Sequence, residues 1–66
     1  MEKYVLLVKD GKLIIQKSEY IEDGWFIHVL DERIILWEIP QFGGEPYIID
    51  EFSSIIQAIQ KGESLT

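Results

Sequence analysis

The stretch "WEIPQFGGEPYIIDEFSS", Trp37 to Ser54, sets strand-like runs on either side of a Gly-Gly pair, with a proline on each flank and Phe42 at the tip. A tight hairpin is the first reading to test. If Gly43-Gly44 formed a two-residue turn, Phe42 would face Glu45 as a hydrogen-bonded pair. Pro40 would then face Tyr47 in the next such pair, where a strand must donate an N–H that proline lacks. The strands are therefore expected to stop at Ile39 and restart at about Tyr47. Pro40, Gln41, Phe42, Gly43, Gly44, Glu45 and Pro46 are left as a wider, ordered loop clamped by its prolines.

Downstream, "YIIDEF" reads as a strand, and Ser53 or Ser54 offers a hydroxyl to cap a helix. Ser54 with Gln57 fits a capping box. Ile55, Ile56, Ala58 and Ile59 form an apolar stripe at helical spacing, and Gly62 with Lys61 before it reads as a helix stop. The expected helix covers about 54–61. Two turns do not hold alone in water, so it must dock on the sheet.

Upstream, "KYVLLVKDGKLIIQKSEYI" places two β-branched, apolar runs around Asp10-Gly11, a pair suited to a hairpin turn with positive φ at both positions. The expected strands are 3–9 and 12–20. Lys17 and Glu19 share a parity with Leu13, Ile15 and Ile21, which predicts a wetter or bulged far half. After Asp23-Gly24, "WFIHVLDERIILWEI" predicts a second hairpin through an Asp31-Glu32 turn. Its apolar residues stand on both faces, as expected of central strands covered on both sides, by the helix on one and a second protomer on the other. The fold class is thus α+β: one small domain over residues 1–66, with an antiparallel meander of about five strands and one short C-terminal helix packed on it.

The chain has 66 residues, 47% of them hydrophobic, and no cysteine. That is one core, without disulfide or thiolate staples, and domains of this kind often gain burial by forming a homodimer. No apolar run reaches the length of a membrane span or a signal peptide, so a soluble cytoplasmic protein is expected.

The net charge of −6 is unevenly spread. Lys3, Lys9, Lys12 and Lys17 make the first hairpin basic, while residues 18–52 carry nine carboxylates against Arg33 alone. Nucleic-acid binding depends on clustered cations, so the acidic centre opposes it and suits a protein partner instead.

Catalytic chemistry finds little support. His28 is the single histidine, set between Ile27 and Val29, and reads as structural. Ser53 and Ser54 are explained by capping, and Ser18 and Ser64 have no neighbouring histidine. The pairs Glu22-Asp23, Asp31-Glu32 and Asp50-Glu51 lack the spacing of a dedicated cation loop and read as turn or helix-approach residues. Gly43-Gly44 lacks a phosphate-cradle pattern, and Glu45 would repel phosphate. No cofactor, metal or small-molecule substrate is inferred. Among the aromatics, Trp25, Phe26, Trp37, Tyr47, Tyr4 and Tyr20 are expected to pack, whereas Phe42 is the candidate for display, since aromatics on rigid loops are enriched at binding hot spots.

"IIDEFSSIIQAI", a last strand running through Phe-Ser into a short helix with a central alanine, resembles the close of plant AP2-type DNA-binding domains and integrase arm-binding domains over about twenty residues. The arginines with which such domains read DNA have no counterpart, since Arg33 stands alone, and no family is assigned.

The expectation is a non-enzymatic protein-interaction module, with a homodimer and a nucleic-acid-mimicking inhibitor as forms it can take. It presents the 40–46 loop and an acidic face of Glu38, Asp50 and Glu51. The alternative is a nucleic-acid-binding domain using Lys3, Lys9, Lys12 and Lys17 with nearby aromatics as stacking platforms.

Overall fold

A computed structural model of the chain describes residues 4–9, 11–17 and 24–65. Lys3, Asp10, the 18–20 extension of the second strand with Ser18, Glu19 and Tyr20, and the Glu22-Asp23 pair lie outside the described residues. Five strands follow one another as β1 (Tyr4–Lys9), β2 (Lys12–Lys17), β3 (Gly24–Leu30), β4 (Arg33–Ile39) and β5 (Tyr47–Phe52), and helix α1 (Ile55–Ser64) closes the chain. The sheet order is β1-β2-β3-β4-β5, antiparallel throughout, which is the expected meander.

The two hairpins follow from local chemistry. Lys9 pairs with Lys12, so two residues make the first connection, and Gly11 takes φ 74° there. Leu30 pairs with Arg33 across Asp31-Glu32, with Asp31 in the left-handed region at φ 55°, a conformation its short polar side chain tolerates better than a branched one would.

Register fixes what each face carries. Ile27 lies opposite Leu36, and Val29 opposite Ile34, so Trp25, Ile27, Val29, Ile34 and Leu36 point to one side of the sheet. Helix α1 lies over this side, across β3, β4 and β5. Trp25, Ile27, Leu36 and Ala58 form the fully buried core, joined by Tyr4, Ile15, Val29, Ile34, Ile49, Phe52 and Ile59.

A β-bulge falls on β5. Trp37 pairs with Ile48 but Leu36 pairs with Asp50, leaving Ile49 as the extra residue. In an unbroken strand Ile49 and Phe52, three apart, would face opposite sides. The bulge resets the alternation, and both pack on the core beneath the helix. The wetter or bulged far half expected of the second strand falls on residues 18–20, outside the described residues, and the bulge of β5 was not expected.

The helix departs from its expected form in three ways. It runs to Ser64 with Leu65 as its C-cap, so Gly62 lies inside it and is not the stop. Gly62 is buried, and a Cβ there would lie 2.6 Å from the indole ring of Trp25: the residue is small so that helix and sheet can touch. Ser54 caps as expected, its Oγ accepting the Gln57 N–H at 3.2 Å, but the Gln57 amide oxygen accepts from the Ser53 hydroxyl, so the reciprocal half of a capping box is not made. Ile56, counted in the apolar stripe, is 69% exposed, and Ile55, Ala58, Ile59 and Gly62 make the contact face.

Candidate functional site

Among the described residues, no helix lies on the opposite side of the sheet. Ile14 pairs with His28, and Phe26 with Trp37, so Val5, Leu7, Ile14, Phe26, His28, Ile35, Trp37 and Ile48 stand together there. Apolar residues on both faces were legible in the sequence, and among the described residues no secondary-structure element covers this second face. Phe26 and Trp37 stack with ring planes 3° apart and centroids at 6.0 Å, and His28 tilts against Trp37 at 6.4 Å. These bulky rings bury His28 to 8% exposure without a covering layer.

The 40–46 loop rises at the edge of this face. β4 ends at Ile39 and β5 begins at Tyr47, as the proline argument required. The Gly43 N–H donates to the Pro40 carbonyl at 3.3 Å, closing a turn. Gly43 and Gly44 take φ 95° and 112°, two consecutive left-handed positions that glycine adopts without steric cost. Phe42 at the tip is 95% exposed. Further along, Glu45 and Pro46 turn back to form one wall of an open hollow of about 400 Å³, completed by Lys12, Ile14, Phe26, His28 and Trp37.

The carboxylates expected to make an acidic face are each engaged within the chain. Tyr47 donates its hydroxyl to Glu38, which raises the Tyr47 pKa because the phenol must lose that bond to ionise. Asp50 accepts the backbone N–H of Glu51 at 2.7 Å. Glu51 forms a two-pronged pair with Arg33 at 3.0 and 3.1 Å, and the hydrogen bonds to the guanidinium hold its carboxyl below the usual range. Nor do the three share a side. Glu38 pairs opposite Tyr47 on the helix side, whereas Glu51 lies opposite Ile35 on the uncovered side.

The lysines of the first hairpin are also divided. Lys9 lies opposite Lys12, but Lys12 and Lys17 occupy positions of opposite parity on β2, and Lys3 is outside the described residues. Lys12 lines the hollow, as Glu45 does. Asp31 and Glu32 sit in the β3–β4 turn, and among the described residues no three metal-binding side chains converge. No helix among them is long and apolar enough to cross a membrane.

His28 offers a testable property. Its Nε2 has no hydrogen-bond partner among the described residues, and its pKa is lowered, first by burial and then by the positive charges of Lys12 and Arg33. The unfolded chain therefore binds a proton at a pH where the folded one does not. Stability is fully present above the ordinary histidine pKa of about 6.5 and falls as pH drops below it. Melting curves at pH 7.5 and 5.5 should show a lower Tm at the acid value, with a slope contribution of at most about 1.4 kcal/mol per pH unit. His28→Phe should flatten that part of the profile; an unchanged profile would mean His28 protonates freely in the folded state.

Comparison with known protein families, with curated protein sequences and with solved structures finds no match for this chain.

Proposed function

We propose that this chain is a non-enzymatic, cytoplasmic protein-interaction module whose contact segment is the 40–46 loop, with Phe42 as its anchor. The observation that carries this reading is the 95% exposure of Phe42 on a turn closed by its own hydrogen bond and flanked by prolines. A soluble domain gains nothing in its own stability from an aromatic ring held in water, and burying such a ring against a partner contributes about 1.5–3 kcal/mol. A loop already ordered loses little entropy on docking, so more of that gain remains as affinity. Glu45 on the same loop and the overall charge of −6 favour a partner surface that is apolar at its centre and neutral or basic at its margin.

The test is a photo-crosslink. The analogue p-benzoylphenylalanine placed at position 42 should give a discrete protein adduct in native lysate, while the same analogue at the exposed helix position Gln60 should not. If position 42 yields no adduct, or one no stronger than position 60, the loop is not a contact segment.

A further inference from the structure

The partner of this loop has a chemistry written on the same chain, and the inference rests on the reading just given. We propose that the loop docks a second copy of this chain, with Phe42 of each protomer inserted in the hollow of the other.

Three features lead there. The hollow of about 400 Å³ is walled by Phe26 and Trp37, the natural neighbours of a phenyl ring, and its volume exceeds that of one such side chain. Its rim is built partly by Glu45 and Pro46, three and four residues beyond Phe42 on the same loop. Knob and socket therefore occupy one patch. A contact in which one patch carries both partners of the fit is self-complementary, and a two-fold axis through it closes after two copies.

Charge supplies the second argument. Lys12 and Glu45 both line the hollow, and neither is ion-paired among the described residues. Glu45 rides on the same loop as Phe42, so seating that loop in the partner copy's hollow carries Glu45 toward the Lys12 that lines it, twice per dimer.

Area sets the expected strength. Two inserted rings, at about 200 Å² each with matching socket walls, give an interface at or below about 1,000 Å², the small end of specific contacts. Val5 and Leu7, each 38% exposed, and Ile48, 53% exposed, share the uncovered face and add to it. The assembly is therefore a reversible dimer with a dissociation constant on the order of micromolar, not an obligate one.

Two copies could also join through a sheet edge, β1 or β5, and on β1 Leu6 is 64% exposed with no charge between Tyr4 and Val8. Pairing of that edge makes no use of Phe42, so the two modes separate in one experiment.

Sedimentation equilibrium of the purified chain over micromolar to millimolar concentration should show the 7.7 kDa monomer converting to a species of twice that mass. Phe42→Ala should weaken self-association about a hundredfold or more, with the monomer's circular dichroism unchanged because Phe42 is 95% exposed in its own protomer. Lys12→Glu and Glu45→Lys should each weaken the dimer, and the two together should restore it. A chain that stays monomeric at millimolar concentration, a dimer indifferent to Phe42→Ala, or a double charge swap weaker than both singles would each overturn the proposal. A monomer whose position 42 still crosslinks to a different protein overturns the second copy and leaves the interaction module standing; a monomer with no adduct at all ends both.

Discussion

Gly62→Ala is expected to lower the melting temperature by several degrees, although alanine is the better helix former. In an exposed helix the exchange would stabilise by about 0.5–1 kcal/mol. Here the added methyl meets three atoms of the Trp25 indole at 2.6 to 2.7 Å, closer than a Cβ contact can be. Those atoms belong to a ring that is 1% exposed and has Tyr4 against it at 5.9 Å, so it has no free space to swing into. The helix must lift from the sheet, and overpacking of this kind costs about 1–3 kcal/mol. For a domain of this size each kcal/mol moves Tm by about 4–8 °C. The double variant Trp25→Phe with Gly62→Ala supplies the check. A smaller ring leaves room for the methyl, so the two changes together should cost less than the sum of the singles. If Gly62→Ala raised Tm, helix propensity would outweigh the contact, and the close approach of α1 to β3 would be wrong.

Gly62 also shows where reading the sequence stops. A glycine after a lysine near the end of an apolar stripe has the local signature of a helix stop, and only the position of Trp25 across the interface reveals its other use. Ile56 fails in the same manner. Its spacing fits the stripe, but the contact arc is narrowed to Ile55, Ala58, Ile59 and Gly62 because the helix sits close enough to need small residues at its centre. The bulge at Ile49 left no sign either, since "YIIDEF" reads as an ordinary strand until its pairing with β4 is known. What was legible was local. Asp10-Gly11 and Asp31-Glu32 mark two-residue connections, and the missing N–H of Pro40 excluded the tight turn at Gly43-Gly44.

The site divides along the same line. The limits of the 40–46 loop and the exposure of Phe42 depend on chemistry within ten residues of sequence, and both were readable. The hollow was not, because it is assembled from β2, β3, β4 and the loop, and only register brings Ile14 beside His28 and Phe26 beside Trp37. A partial signal existed: Phe26 and His28 alternate with the core residues Trp25 and Ile27, which already announced a second buried or half-buried face. The carboxylates were the least legible. Counting charge along the chain made Glu38, Asp50 and Glu51 look like one surface, whereas strand alternation separates them and Tyr47, a backbone N–H and Arg33 engage them one by one.

Leu36→Ala is expected to remove most of the stability of the domain. Leu36 is fully buried, lies opposite the equally buried Ile27, and belongs to the cluster that joins the sheet to Ala58 of the helix. Truncating a buried leucine to alanine costs about 2–5 kcal/mol, and the upper half of that range applies where the surroundings cannot collapse into the space. Here the β5 bulge and the helix both bear on the same spot, and neither shifts without disturbing Ile49, Phe52 or Trp25. A single small core without disulfides supplies about 3–5 kcal/mol, so the loss is comparable to the whole. Urea titration followed by circular dichroism should find Leu36→Ala substantially unfolded before denaturant is added. Ile56→Ala, an equally apolar truncation on the outer surface of α1, should change stability by no more than about 0.5 kcal/mol. The contrast isolates burial from hydrophobicity. Equal losses from the two would mean that Ile56 is covered in solution, and that copies of the chain meet through the helix, away from the face that holds the hollow.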